Sequence, residues 1–165
     1  METIRNKVAE SGIITIDPEL FYPSSEVVEF DLKPFLFREL ILKEKDFRES
    51  LKNFDFSAYA GKNAAIFCSV DAIIPVWAFM LAASYLQQCT NVVFGNKQAA
   101  TEKIILENLS RINLQDYSGK RIVIKGCGEK DIPPSVYVKL TSMLQPIAKS
   151  LMYGEPCSTV PVFKN

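Results

Sequence analysis

With 165 residues, 48% of them hydrophobic and 23% charged, the chain has the size and composition of one folded domain that buries its own core without staples. Lysine plus arginine equals aspartate plus glutamate at 19 each, which argues against nucleic acid or an acidic membrane surface as a partner. Histidine is absent, so Ser-His and Cys-His nucleophile pairs and His-containing metal sites are excluded within one chain.

Residues 1–57 read as an N-terminal extension. The start, Met1-Glu2-Thr3-Ile4-Arg5-Asn6, lacks the basic and apolar regions of a secretion signal, so a cytoplasmic protein is expected. Residues 3–11 suit a short helix stopped by Gly12, and residues 12–17 a short extended segment before Pro18. Phe21-Tyr22-Pro23-Ser24-Ser25 is turn chemistry, and residues 26–31 alternate apolar and acidic side chains like a strand. Beyond Pro34, residues 35–54 carry an apolar stripe at helical spacing, an amphipathic helix that covers the sheet or a dimer partner.

From residue 58 to 153 the text turns α/β and repeats itself. Tyr59-Ala60-Gly61-Lys62, an apolar run to Cys68, Ile74-Pro75, Leu86-Gln87 and Val92-Val93-Phe94-Gly95 form one copy. Tyr117-Ser118-Gly119-Lys120, a run to Cys127, Ile132-Pro133, Leu144-Gln145 and Leu151-Met152-Tyr153-Gly154 form the second. Strands are expected at 64–68, 91–95, 121–125 and 150–153, with helices at 75–88, 98–112 and 134–144. The first of these helices is apolar nearly all round and should be heavily buried; the chain's longest apolar run, Ala72 to Leu86, is broken by Pro75 and Ser84 and is too short to span a bilayer. Alternating strands and helices predict an open, mostly parallel central sheet of two βαβ units in the order 2-1-3-4, the first strands of the copies side by side. The tail, 154–165, holds two prolines and is expected to stay out of a regular ladder.

That topology would bring Cys68, Cys127 and Cys157 to the carboxyl edge of the sheet, where open α/β folds bind ligands. Thiols without an export signal point to metal ligation or redox chemistry rather than disulfides, and three sulfurs with acidic neighbours suit zinc or an iron–sulfur cluster. Gly126 and Gly128 would let backbone N–H groups approach a ligand, with Ser69 and Glu155 as further contacts. Against this, no CxxC pair is present, and Cys68 could equally fill the core. Cys89, at the far end of the unit, reads as structural. Ser69 or Asp71 and Ser135 suit helix caps, and no nucleotide-binding motif occurs.

The strings Lys33-Pro34-Phe35-Leu36-Phe37, Leu40-Ile41-Leu42-Lys43-Glu44-Lys45-Asp46-Phe47-Arg48, Ala72-Ile73-Ile74-Pro75-Val76-Trp77-Ala78, Lys125-Gly126-Cys127 and Gly154-Glu155-Pro156-Cys157-Ser158-Thr159-Val160-Pro161 carry a resemblance. End to end, the chain resembles the bacterial domain of unknown function 2480 family. The resemblance implies a thiol or metal role for Cys127 and Cys157 and partners in iron–sulfur assembly. Three functions follow as expectations: an accessory in iron–sulfur or sulfur handling with a Cys68/Cys127/Cys157 centre, a persulfide-carrying thiolate enzyme at Cys127, and a non-catalytic binding or scaffold module that uses its N-terminal segment and the 35–54 helix to dimerise or dock a partner.

Overall fold

The Gly-Lys strands of the two copies lie in different sheets, because each finds its partner in the N-terminal extension. The computed structural model describes residues 12–126, 128–155 and 157–165; the helix expected over residues 3–11 lies outside them. The strands are β1 (Ile13–Ile16), β2 (Val27–Asp31), β3 (Asn63–Phe67), β4 (Asn91–Phe94), β5 (Arg121–Ile124), β6 (Ser150–Glu155) and β7 (Ser158–Lys164). The helices are α1 (Glu44–Asn53), α2 (Val76–Tyr85), α3 (Lys97–Ser110) and α4 (Pro134–Leu144).

One sheet runs β2-β3-β4 and the other β1-β5-β6-β7. β2 lies parallel to β3 with Val28 opposite Ala64, and β1 lies parallel to β5 with Ile14 opposite Ile122. An edge of β3 occupied by β2 has no hydrogen bonds left for β5, so the single sheet of order 2-1-3-4 is replaced by two. Within each copy the expected neighbours do pair in parallel, β3 with β4 and β5 with β6. The class is mixed α/β, as the alternating pattern dictates.

The chain divides into two units. Pro23–Ile104 holds β2, β3, β4, α1 and α2; Ile105–Asn165, with the chain up to Tyr22, holds the other sheet and α4. In the 23–104 unit the side-chain alternation of β3 sends Ala64 and Ile66 to one face, against Phe30, Phe47, Leu51, Ala78, Ala82 and Leu86. Ala65 faces the other way, with Val27, toward Ala100 and Ile104 of α3. A strand covered on both faces reads as an unbroken apolar run, which is what the sequence shows. In the other unit Ile122, Ile124 and Leu151 pack with Val136, Leu140 and Leu144 of α4 and with Ile16, Ile105 and Leu109.

The repeated text yields repeated local structure. Gly61 and Gly119 take φ of 72° and 68°, a region that favours glycine, and their N–H groups donate to Gln88 O and Ile147 O at 2.9 and 2.8 Å. Both α2 and α4 follow a proline, Pro75 and Pro133, held extended with ψ of 145° and 146°. The N-cap residues are these prolines, which make no side-chain cap, so Ser69 or Asp71 does not take the N-cap position expected of it at α2 and Ser135 does not take that of α4.

Three other expectations change. The stripe over 35–54 forms helix only from Glu44, because Arg38 and Glu39 adopt φ of 49° and 58° in a tight turn closed by the antiparallel Phe37–Ile41 bridge. Left-handed residues cannot continue a right-handed helix. Helix α2 buries Ala78 and Ala82 fully yet leaves Val76 75% and Met80 68% exposed, so it is not buried all round. The tail does form a ladder: β7 pairs antiparallel with β6, and a register shift at Leu151/Met152 sets Pro161 opposite Met152. As the edge strand of its sheet, β7 tolerates a residue without an N–H.

Candidate functional site

The carboxyl ends of β1, β5 and β6 gather the polar groups of the 105–165 unit. β5 and β6 pair in parallel register up to Ile124 opposite Tyr153, and β6 runs two residues further to Glu155, so the loops that carry Cys127 and Cys157 leave the same end of adjacent strands. Asp17, just past β1, accepts the Glu19 N–H on Oδ1 at 3.0 Å, and Lys125 Nζ lies 3.6 Å from its Oδ2. The Glu19 carboxylate reaches across to the loop after β5, where Oε1 accepts the Lys130 N–H at 2.7 Å. Lys130 Nζ in turn sits 4.2 Å from the centre of the Tyr22 ring.

Among the described residues this edge is closely packed. A Cβ at Gly128 would collide with the Glu19 carboxylate, and one at Gly126 would lie 2.5 Å from the Tyr153 ring. Close packing therefore supplies a reason for each glycine. The recess lined by Asp17, Glu19, Lys125, Gly126, Gly128, Lys130 and Tyr137 has a volume of about 10 Å³, the space of a single water. Glu155 is half-buried and pairs with Ser158 where β6 turns into β7, and Cys157 stands exposed in that turn. Cys127 itself lies outside the described residues.

Cys68 has a different setting. It follows β3 in the 23–104 unit, half-buried against the core that contains Phe30, Ala64 and Ala78. The side-by-side β3 and β5 that were to carry it toward Cys127 do not occur. Among the described residues no group of three His, Cys, Asp or Glu is placed to hold a metal ion. Cys89 donates its thiol to Tyr59 O at 3.3 Å, and burial pushes its pKa up, as befits a structural thiol.

Ser69 serves a carboxylate that sequence reasoning passed over. Its backbone N–H and that of Lys33 both donate to Asp31 Oδ1, each at 3.0 Å, tying the end of β2 to the loop after β3. Burial acts to raise the Asp31 pKa. The Ser69 hydroxyl, the N–H groups of Lys33 and Ser69 and the Lys33 charge outweigh it, and the carboxyl rests below its ordinary value of 3.8. A depressed folded pKa gives stability that is present above the unfolded value and is lost as pH falls through the folded one. Between pH ~5 and ~3 the wild type should therefore lose stability more steeply than Asp31→Asn. Urea midpoints across that range test this, and parallel curves for the two proteins would refute it. The part of the signal that could be read is local: Asp17 and Asp31 each stand at or just past the end of a short N-terminal strand, and each accepts the N–H two residues on, a turn that aspartate favours.

Among the described residues no helix is long and apolar enough to cross a membrane. Neither curated proteins nor solved structures gave a match to the chain. The family model described as protein of unknown function (DUF2480) matches residues 2–165, essentially the whole chain, and the chain belongs to that family.

Proposed function

We propose that the protein is a cytoplasmic accessory in sulfur or iron–sulfur handling whose working groups are the thiols of Cys127 and Cys157. One observation carries this reading: the loops bearing the two cysteines leave the same end of adjacent, in-register strands of one sheet. The exposure of Cys157 in the β6–β7 turn supports it, since a thiol that exchanges sulfur must be reachable. Zinc or a cluster requires three or four donors, and the described residues bring no such group together. The reading rests on the thiol pair itself, and leaves Cys68 to the core of its own unit.

The test is mild oxidation of anaerobically purified protein with diamide, which takes two protons and two electrons from a pair of thiols as their sulfurs join. Peptide mapping should show a Cys127–Cys157 disulfide, formed unchanged in Cys68→Ser and Cys89→Ser variants. Recovery of both cysteines as free thiols, or pairing of either with Cys68, would remove the basis of the proposal.

A further inference from the structure

The segment from residue 72 to 96 of the 23–104 unit contains no charged side chain, and the thiol chemistry above uses none of it. Its helix α2 seats Ala78 and Ala82 on the sheet. At 100° per residue Val76 and Met80 fall on the opposite side of α2, and both are exposed, as is Ile73 at 94% in the loop that leads into the helix. Phe79 lies on the flank between those two sides and meets Phe94 of β4 edge-on, the ring centres 5.2 Å apart. Val92 and Phe94 pair with Ala64 and Ile66, so their side chains leave the face of the sheet on which α2 packs. Both are exposed, Phe94 at 59%. An apolar surface therefore runs from Met80 and Val76 over Phe79 to the edge strand β4. The flank of α2 that turns toward α1, where Arg48 leans over Trp77, is a different surface. The charged groups beside the apolar one are Asp71 and Lys97, which bound the segment in sequence, and Lys103, whose ammonium donates to Phe94 O at 2.6 Å.

Size and the lack of charge select the occupant. Residues of this size offer about 150–250 Å² each when bare. At their exposures Ile73, Val76, Met80, Val92 and Phe94 leave roughly 600 Å² open, the top of the range for a monomer and near the ~800 Å² that each partner gives a stable interface. A twofold axis sets one patch against its own copy, which a patch of a single charge sign resists and an uncharged one does not. Edge strands that stay single commonly carry a charge, a proline or a bulge. β2 has Glu29 and Asp31, and β7 has Pro161 at its register shift. β1 has none of these, but its three isoleucines are half-buried or buried. β4 has no such device within Asn91–Phe94 and leaves Val92 and Phe94 bare. We propose that a second copy of the chain covers this face, with Val76, Met80 and Phe94 of one protomer packed against the same residues of its partner about a twofold axis.

The test is sedimentation velocity of the full chain under reducing conditions, so that no disulfide joins two copies. The dimer should predominate at ~100 µM. Met80→Glu should raise its dissociation constant ~100-fold or more, because a carboxylate near the twofold axis meets its own image. Ile73→Asp, at a bare loop position outside the helix, should weaken the dimer ~10-fold and serves as the second variant should Met80→Glu disturb α2. Val138→Glu, on α4 of the other unit and as exposed as Met80, should dimerise like wild type. Far-UV circular dichroism of the variants should overlay that of wild type. A chain that is monomeric at ~100 µM overturns the proposal. So does a dimer that Met80→Glu and Ile73→Asp both leave intact, since its interface then lies elsewhere.

Discussion

Phe30→Ala should be the most damaging single core change in the 23–104 unit, costing about 3–5 kcal/mol. Phe30 is 1% exposed on β2, and its ring lies 5.3–5.6 Å from those of Phe35, Phe54, Phe56 and Tyr59, tilted or edge-on. Truncation removes the transfer energy of a whole ring and opens a cavity whose walls belong to two stretches of chain. These are the turn after β2, with Phe35, and the segment from the end of α1 to the turn before β3, with Phe54, Phe56 and Tyr59. They cannot close inward together, which places the cost toward the upper part of that range. Phe30→Leu keeps most of the volume and should lose about 1–1.5 kcal/mol. Denaturant melts of the three proteins decide the matter; an alanine variant within 1 kcal/mol of wild type would show that this aromatic cluster is not the unit's keystone.

Gly154→Ala should be the most damaging backbone change in the 105–165 unit. Gly154 has φ of +121°, and a Cβ there would stand 2.6 Å from the Ser158 carbonyl oxygen across the β6–β7 ladder. Holding alanine in that region costs about 1–3 kcal/mol, and a backbone oxygen cannot swing aside as a side chain would. Gly61 is the control: φ is +72° and nothing lies within 4 Å of its added Cβ, so Gly61→Ala should cost only about 1–2 kcal/mol. Because Gly154 sits one pair from the turn that holds Cys157, the substitution should also change how fast that thiol is alkylated, while Cys89 keeps its rate. Equal stability losses for the two glycine variants, with Cys157 unaffected, would contradict this view of the hairpin.

Much of this fold could be read from the chain because its periods are strong. The apolar run of β3 and the Pro-led helix at Pro134–Leu144 appear where the pattern put them, and the alternation over 26–31 became β2. What failed was pairing. Nothing in the residues of β1 and β2 says that they dock beside β5 and β3, since a strand of four or five residues with three apolar side chains suits any open parallel edge. That one unreadable choice moved Cys68 into a different sheet from the loop of Cys127. The helix expected at 35–54 failed for a local reason, the left-handed pair Arg38-Glu39, which are ordinary helix formers by propensity. The tail failed because Pro161 excludes a central strand but not an edge.

The Cα–Cα distance between Cys127 and Cys157 in a crystal structure of the reduced protein tests the thiol pair most directly. A separation within about 7 Å, the reach of a disulfide, is the expected result. Two cysteines held well beyond that distance, or turned into separate apolar surroundings, would contradict a shared thiol site.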